Sequence, residues 1–244
     1  MGLCRDGKIT GVSTTGVLKR VRAFPRSTPV TLTLVTLLAL TTYWLSHTHD
    51  PDRILESAST NVHNLTHMPL RSFVLSAVVL SGGGWLVASI ELILSAGLLE
   101  RARGSLSMVK VFASGHVIAT LLTEGGVAAG IALGLLPRHD LRMIDVGISY
   151  GMYACAAAAL VLLPMWWRLT GLALVALSVL IPLAMDPGMT PIGHLVSIAV
   201  GLAWWPQLMT VQARPPRSGH LSRQLTHVPR LTHVPRLVRH AVAA

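Results

Sequence analysis

Charged side chains are scarce in this 244-residue chain. Asp, Glu, Lys and Arg make up 12% of it, against about 25% in soluble domains. With 52% hydrophobic residues and a mean hydropathy of +0.59, that shortage excludes an ordinary soluble domain and predicts an integral membrane protein. Acid is scarcer still, ten residues against twenty Lys and Arg. In a soluble protein the net charge of +10 would point to nucleic acid. In a membrane protein topology sets that charge, and no nucleic-acid partner is expected. Cysteine is nearly absent: Cys4 falls in a basic tail and Cys155 in an apolar stretch, at depths that exclude a disulfide between them. Position 6 lacks the Ser or Thr of a myristoylation signal. No small-residue cleavage site follows the first apolar run, which reads as a retained helix rather than a signal peptide.

Long apolar runs are what the chain does have. About 20 apolar residues span the hydrocarbon core, and six segments qualify: Val30–Ser46, Phe73–Leu99, Leu106–Thr123, Val146–Pro164, Leu169–Met185 and Pro191–Trp205. The stretch Gly125–Leu136 is too short to span alone and would extend the third segment or lie re-entrant. Six spans put both termini on one side. Sixteen of the twenty Lys and Arg residues then share that side, and only Arg53, Arg71, Arg138 and Arg142 lie opposite. The positive-inside rule makes the shared side cytoplasmic. The expected organisation is a basic tail over 1–28, a six-helix membrane domain over 29–206 and a basic, Pro-containing, disordered cytoplasmic tail over 207–244. The last of these repeats Leu225–Arg230 as Leu231–Arg236.

Two polar side chains sit about one turn inside apolar segments. Ser149 follows Gly147 near the start of the fourth, and His194 follows Gly193 near the start of the sixth. Both segments start at the outer face, so the two residues lie at matching depth. Serine needs a base to become a nucleophile, and neutral imidazole is the usual one. His194, Ser197 and Gly201 share one helix face, while Gly147, Gly151 and Cys155 form a small face on the other helix. Such faces let membrane helices approach closely. Tyr153, one turn after Ser149, is placed to stack on the imidazole.

At these residues the chain resembles the rhomboid family of intramembrane serine proteases over roughly Arg71–Trp205. Gly147, Ser149 and Tyr153 match its Gly-x-Ser motif with a following aromatic. His194, Ser197 and Gly201 match its sixth helix, and Glu100–Ser105 matches the acidic-basic-Gly-Ser stretch ending its second. The resemblance implies a six-transmembrane-helix bundle that cleaves transmembrane substrates near the outer face. Ser149 would be the nucleophile and His194 the base, without cofactor or metal. Two departures stand out. Tyr150 replaces the glycine usual after the serine. The His-x-x-x-Asn pair that helps bind the oxyanion falls near Gly84 and Ala88, which carry no donor. Asn61, His63 and Asn64, in a donor-rich outer loop, are the candidate substitutes.

Three functions stay open on the sequence: an intramembrane protease, an inactive relative that binds membrane clients, and a small transporter using Glu91 and His116. Glu91, His116 and Thr120 are expected to pair inside the bundle, and Glu124 to be wet at its outer end. Trp166, Trp167, Trp204 and Trp205 read as interfacial anchors.

Overall fold

The computed structural model describes residues 26–82, 84–185 and 188–210, and helices and loops account for all of them. The tail expectations for 1–25 and for 211–244, the repeat included, lie outside the described residues. The elements are α1 (Pro29–Ser46), α2 (Pro51–Ala58), α3 (Val62–His67), α4 (Pro69–Ser76), α5 (Trp85–Leu92), α6 (Leu98–Arg103), α7 (Ser105–Ala132), α8 (Ser149–Ala159), α9 (Met165–Met185), α10 (Met189–Ala203) and α11 (Trp205–Thr210). A π turn over Ile93–Gly97 joins α5 to α6, and a 3-10 turn over Leu160–Leu162 extends α8. Among the described residues, four helical runs are long and apolar enough to cross a membrane: Pro29–Ser46, Ser105–Ala132, Met165–Met185 and Met189–Thr210.

α8 is the axis of the bundle. Tyr150, Gly151, Met152, Ala154, Cys155, Ala157, Ala158 and Ala159 are all buried, so nearly every face of the helix is covered. α7 and α10 pack along it, and α5 to α6 flank it. The main core joins Leu92, Ala96 and Leu99 to Met108, Val111 and Phe112 and to the α8 alanines. α9 is the opposite case, with Val179 its one buried residue. In α1 only Thr31, Leu38 and Leu45 are buried, a single stripe at seven-residue spacing.

The expected second span, Phe73–Leu99, is broken. α4 ends at Ser76 and helix resumes only at Trp85. Ser81, Gly82 and Gly84 lie in the break, and Gly82 has φ +88°, which an α-helix cannot contain. Each glycine also costs about 1 kcal/mol in a helix interior. Helices α2 to α4 and the start of the break form an outer layer with its own small core of Leu45, Leu55, Ala58 and Val79. The third span does run on through the stretch in question: α7 reaches Ala132, and Gly134 at φ +71° closes it as Leu135 N–H donates to Gly130 O at 2.8 Å. α8 starts three residues later than expected, at Ser149. α11 carries helix across the proposed boundary at 206, with Pro206 in its first turn, where proline is tolerated.

Trp166 and Trp167 are exposed, 81% and 65%. Trp204 and Trp205 are not simple anchors, however. The Trp204 indole donates to Ser114 Oγ and that of Trp205 to Ala157 O, both at 2.9 Å, and these bonds tie the end of α10 to α7 and α8.

Glu100 is the buried joint between three helices. Its carboxylate accepts from Val30 N–H (2.9 Å), Thr31 N–H (2.8 Å), Thr31 Oγ1 (2.6 Å) and Ser105 Oγ (2.7 Å). A carboxylate at the first turn of α1 satisfies orphan amides and complements the helix dipole. Glu100→Ala strands those amides and is expected to lower stability in mixed micelles by about 3 kcal/mol or more. Thr31→Val, which removes one hydroxyl, is expected to cost about 1 kcal/mol. Equal losses would show that Glu100 does not carry the joint.

Candidate active site

Ser149 is the first residue of α8, and the loop before it is tied down on two sides. Asp145 N–H donates to Ser59 Oγ at 2.8 Å, and Thr60 N–H donates to Asp145 O at 2.9 Å. Gly147 N–H donates to Ser76 O at 3.0 Å. Gly147 has φ +145°, a conformation side-chain-bearing residues rarely adopt, so the turn into Ser149 favours glycine. Ile148, almost fully buried, plugs the loop into the core.

His194 lies in the second turn of α10, and its Nε2 is 3.0 Å from Ser149 Oγ. Two tyrosines hold the ring. Tyr153 stacks on it with centroids 4.3 Å apart and planes 30° apart. Tyr150 meets it edge-on at 5.5 Å and 73°. The Tyr150 ring also packs on the backbone of Gly193, where a Cβ would come within 2.5 Å of it. Such aromatic contacts contribute about 0.5–1.5 kcal/mol each beyond burial. They orient an imidazole that no carboxylate contacts among the described residues.

The pair meets because α8 and α10 approach closely. A Cβ at Gly201 would collide with the carbonyl oxygen of Ala154. Ser197, completely buried, returns its hydroxyl to Gly193 O at 2.8 Å and leaves the contact surface apolar.

The outer loop does not bring Asn61, His63 or Asn64 into hydrogen-bond or ring contact with Ser149 or His194. Asn61 Oδ1 caps α3 through Asn64 N–H at 2.9 Å. Asn64 Nδ2 donates to Glu56 O at 2.7 Å and Ser59 O at 2.9 Å. His63 pairs with the His67 ring at 4.4 Å. Asn61 Nδ2 is the one amide group here that is buried without a partner. Asn61 Oδ1 and the Asn64 amide are spent in building the layer whose Ser59 and Thr60 hold the Ser149 loop. Gly84, at the start of α5, and buried Ala88 offer no side-chain donor.

Three placements differ from expectation, those of Glu91, Glu124 and Thr120, while His116 pairs inside the bundle as expected. Glu91 is exposed rather than paired in the bundle. Glu124 is buried rather than wet, under the outer layer beside Asp145 and the Val62 amide. His116 is buried and bonds Ser76 Oγ at 3.0 Å, bracing the strut that holds Gly147, while the Thr120 hydroxyl has no partner. Tyr150 and Ser76 are site-shaping residues that spacing did not flag. The bulk of Tyr150 where glycine is usual was the available signal.

A family model described as rhomboid-like protein matches residues 23–214. The chain belongs to this rhomboid-like family. No curated protein and no solved structure matches it.

Two tests follow from this geometry. Gly201→Val should wedge α10 from α8 and lower stability by about 1–3 kcal/mol, whereas Ser197→Ala, losing one local bond, should cost about 1 kcal/mol or less. A Gly201→Val protein as stable as wild type would mean the helices are not in contact there. Asp145 supplies a pH test. Burial pushes its carboxyl above the usual range, opposed by the Thr60 hydroxyl that donates to Oδ2 at 3.2 Å. The folded state therefore holds this proton more tightly than the unfolded state. Its contribution is fullest below the ordinary aspartate value, about 3.9, and is lost as pH rises towards the raised value. Relative to Asp145→Asn, the wild-type thermal midpoint should fall as pH rises across that window. A constant difference would rule the effect out.

Proposed function

We propose that this protein is an intramembrane serine protease of the rhomboid-like family with a Ser149–His194 dyad. The 3.0 Å contact between Nε2 and Oγ carries the reading. Ser149 Oγ would attack the carbonyl of a transmembrane substrate while His194 Nε2 takes its proton. The resulting oxyanion would be met by the Ser149 N–H, which as the first amide of α8 has no intrahelical partner. His194 would pass the proton to the leaving amine, and water from the outer side would then release the acyl group. Gly147 would set the approach of Ser149, and Tyr153 the plane of His194.

In the same reading the chain crosses the cell membrane six times with both termini cytoplasmic. Besides the four long helical runs, α5 to α6 and α8 would complete the set. α8 with its 3-10 extension is only about 21 Å long. It is surrounded by other helices, so it need not match the lipid thickness. The substrate helix would reach the dyad through the groove between α5–α6 and α9, which Tyr153 lines. A second reading has one specific observation behind it. With no donor at Gly84 or Ala88, oxyanion binding is thin, and the protein would hold membrane clients without cutting them.

A serine-directed fluorophosphonate distinguishes the two. The protease should form an adduct that Ser149→Ala abolishes. Ser149→Ala, His194→Ala and the double variant should lose similar amounts of activity, since members of one catalytic unit are not additive. Wild type that captures clients and never forms the adduct would establish the second reading. For topology, a cysteine at Asp52 should react with an impermeant reagent outside intact cells and cysteines at positions 15 and 225 should not; reactive tails would refute the arrangement.

A further inference from the structure

The groove between α5–α6 and α9 has a volume of about 670 Å³ and mostly aliphatic walls, with Leu94 and Leu98 on one side and Leu174 and Val175 on the other. Its floor is α8, where Tyr153 also bonds Ser178 of α9 at 3.2 Å. Two charged groups line it, Glu91 and Arg101, and Glu91, the first lining residue of α5, is exposed, with no hydrogen bond or ion pair to its carboxylate among the described residues. Glu91 lies about 9 Å along the helix from Trp85 and about 18 Å from Arg103. The cation that shares the groove, Arg101, is ten residues on, about 15 Å away. A carboxylate at such depth is costly and calls for a partner. Among the described residues it has none.

We propose that Glu91 is a specificity-determining residue that selects clients by charge: the groove takes a transmembrane helix carrying a lysine or arginine at the depth of Glu91. The occupant follows from complementarity. Aliphatic walls suit the side chains of an apolar helix, and one unpaired anion suits one cation on it. The same cation is disfavoured in lipid, so pairing relieves both groups at once. A client lacking it would leave Glu91 unpaired against a dry surface. α9, whose one buried residue is Val179, forms the wall opposite Glu91. The inference rests on the groove serving as the client's route but not on the chemistry at Ser149.

The test uses the full-length protein in liposomes with a photocrosslinking amino acid at position 174. The clients are designed single-pass Leu/Ala helices bearing Lys, Leu or Glu at stepped depths. Wild type should crosslink the best-placed Lys helix about tenfold more than the Leu helix. Glu91→Gln should erase that preference, and Glu91→Lys should transfer it to the Glu helix. Wild type without a charge preference, a preference that survives Glu91→Gln, or crosslinks only to lipid or to a second copy of the chain would overturn the proposal. The fluorophosphonate adduct is read on the same samples. An adduct without charge selection sinks this inference alone. Charge selection without an adduct sinks the protease reading and leaves Glu91 as the selector of a client-binding protein.

Discussion

The contact between Gly201 and the Ala154 carbonyl fixes the distance between α8 and α10, and the site depends on that distance. Membrane helices gain little from burying apolar surface against each other, since lipid is equally apolar. They need close packing instead. Gly193, Ser197 and Gly201 recur every four residues and are all buried, so α10 presents two turns of small surface to α8. His194 follows the first of these residues and is carried to the edge of the seam, where Ser149 opens the facing helix. A one-ångström increase in helix separation would leave Nε2 out of hydrogen-bond range of Oγ.

The seam fixes where the imidazole is, and the tyrosines fix how it is turned. Tyr153 comes from the turn after Ser149 and Tyr150 from the very next residue, so the serine and both ring supports belong to one helix. The serine is steadied from the other direction by the outer layer. Ser59, Thr60 and Ser76 are far from Ser149 in sequence, yet their hydrogen bonds reach Asp145 and Gly147 in the loop that precedes it. Glu100 performs the corresponding task at the opposite end of its helix, where it joins α1 to α7. Hydrogen bonds and burial are therefore concentrated around α8, while α9 buries only Val179.

What the sequence disclosed follows the range of the interactions involved. Ser149 with Tyr153, and His194 with Ser197 and Gly201, are spacings within one helix, which helical periodicity resolves. Hydropathy does not register the break before Trp85, because it scores the stretch from Ser81 as unremarkable, whereas the clustered glycines disfavour a helix and Gly82 takes a positive φ. Glu91 and Glu124 were assigned the wrong way round for a different reason. Each lies on an apolar helix, and its burial depends on how that helix is rotated against neighbours distant in sequence. Spacing alone does not disclose the indole bonds of Trp204 and Trp205, since a tryptophan at a helix end can meet the interface and also donate into the bundle.

The lack of a side-chain donor at Gly84 and Ala88 and the apolar groove bear on the proposed function separately. Losing one preorganised donor typically costs about 100- to 1000-fold in rate. A chain with only the Ser149 amide would therefore be a slow protease before it was no protease at all. Slow chemistry tolerates a long-lived complex and gains from choosing its partner well. Neither Gly84 nor Ala88 lines the groove, whose lining on α5–α6 begins at Glu91. Selection of a helix and scission of its backbone would then be independent properties. A family scaffold that keeps the seam and the groove can weaken the second without disturbing the first.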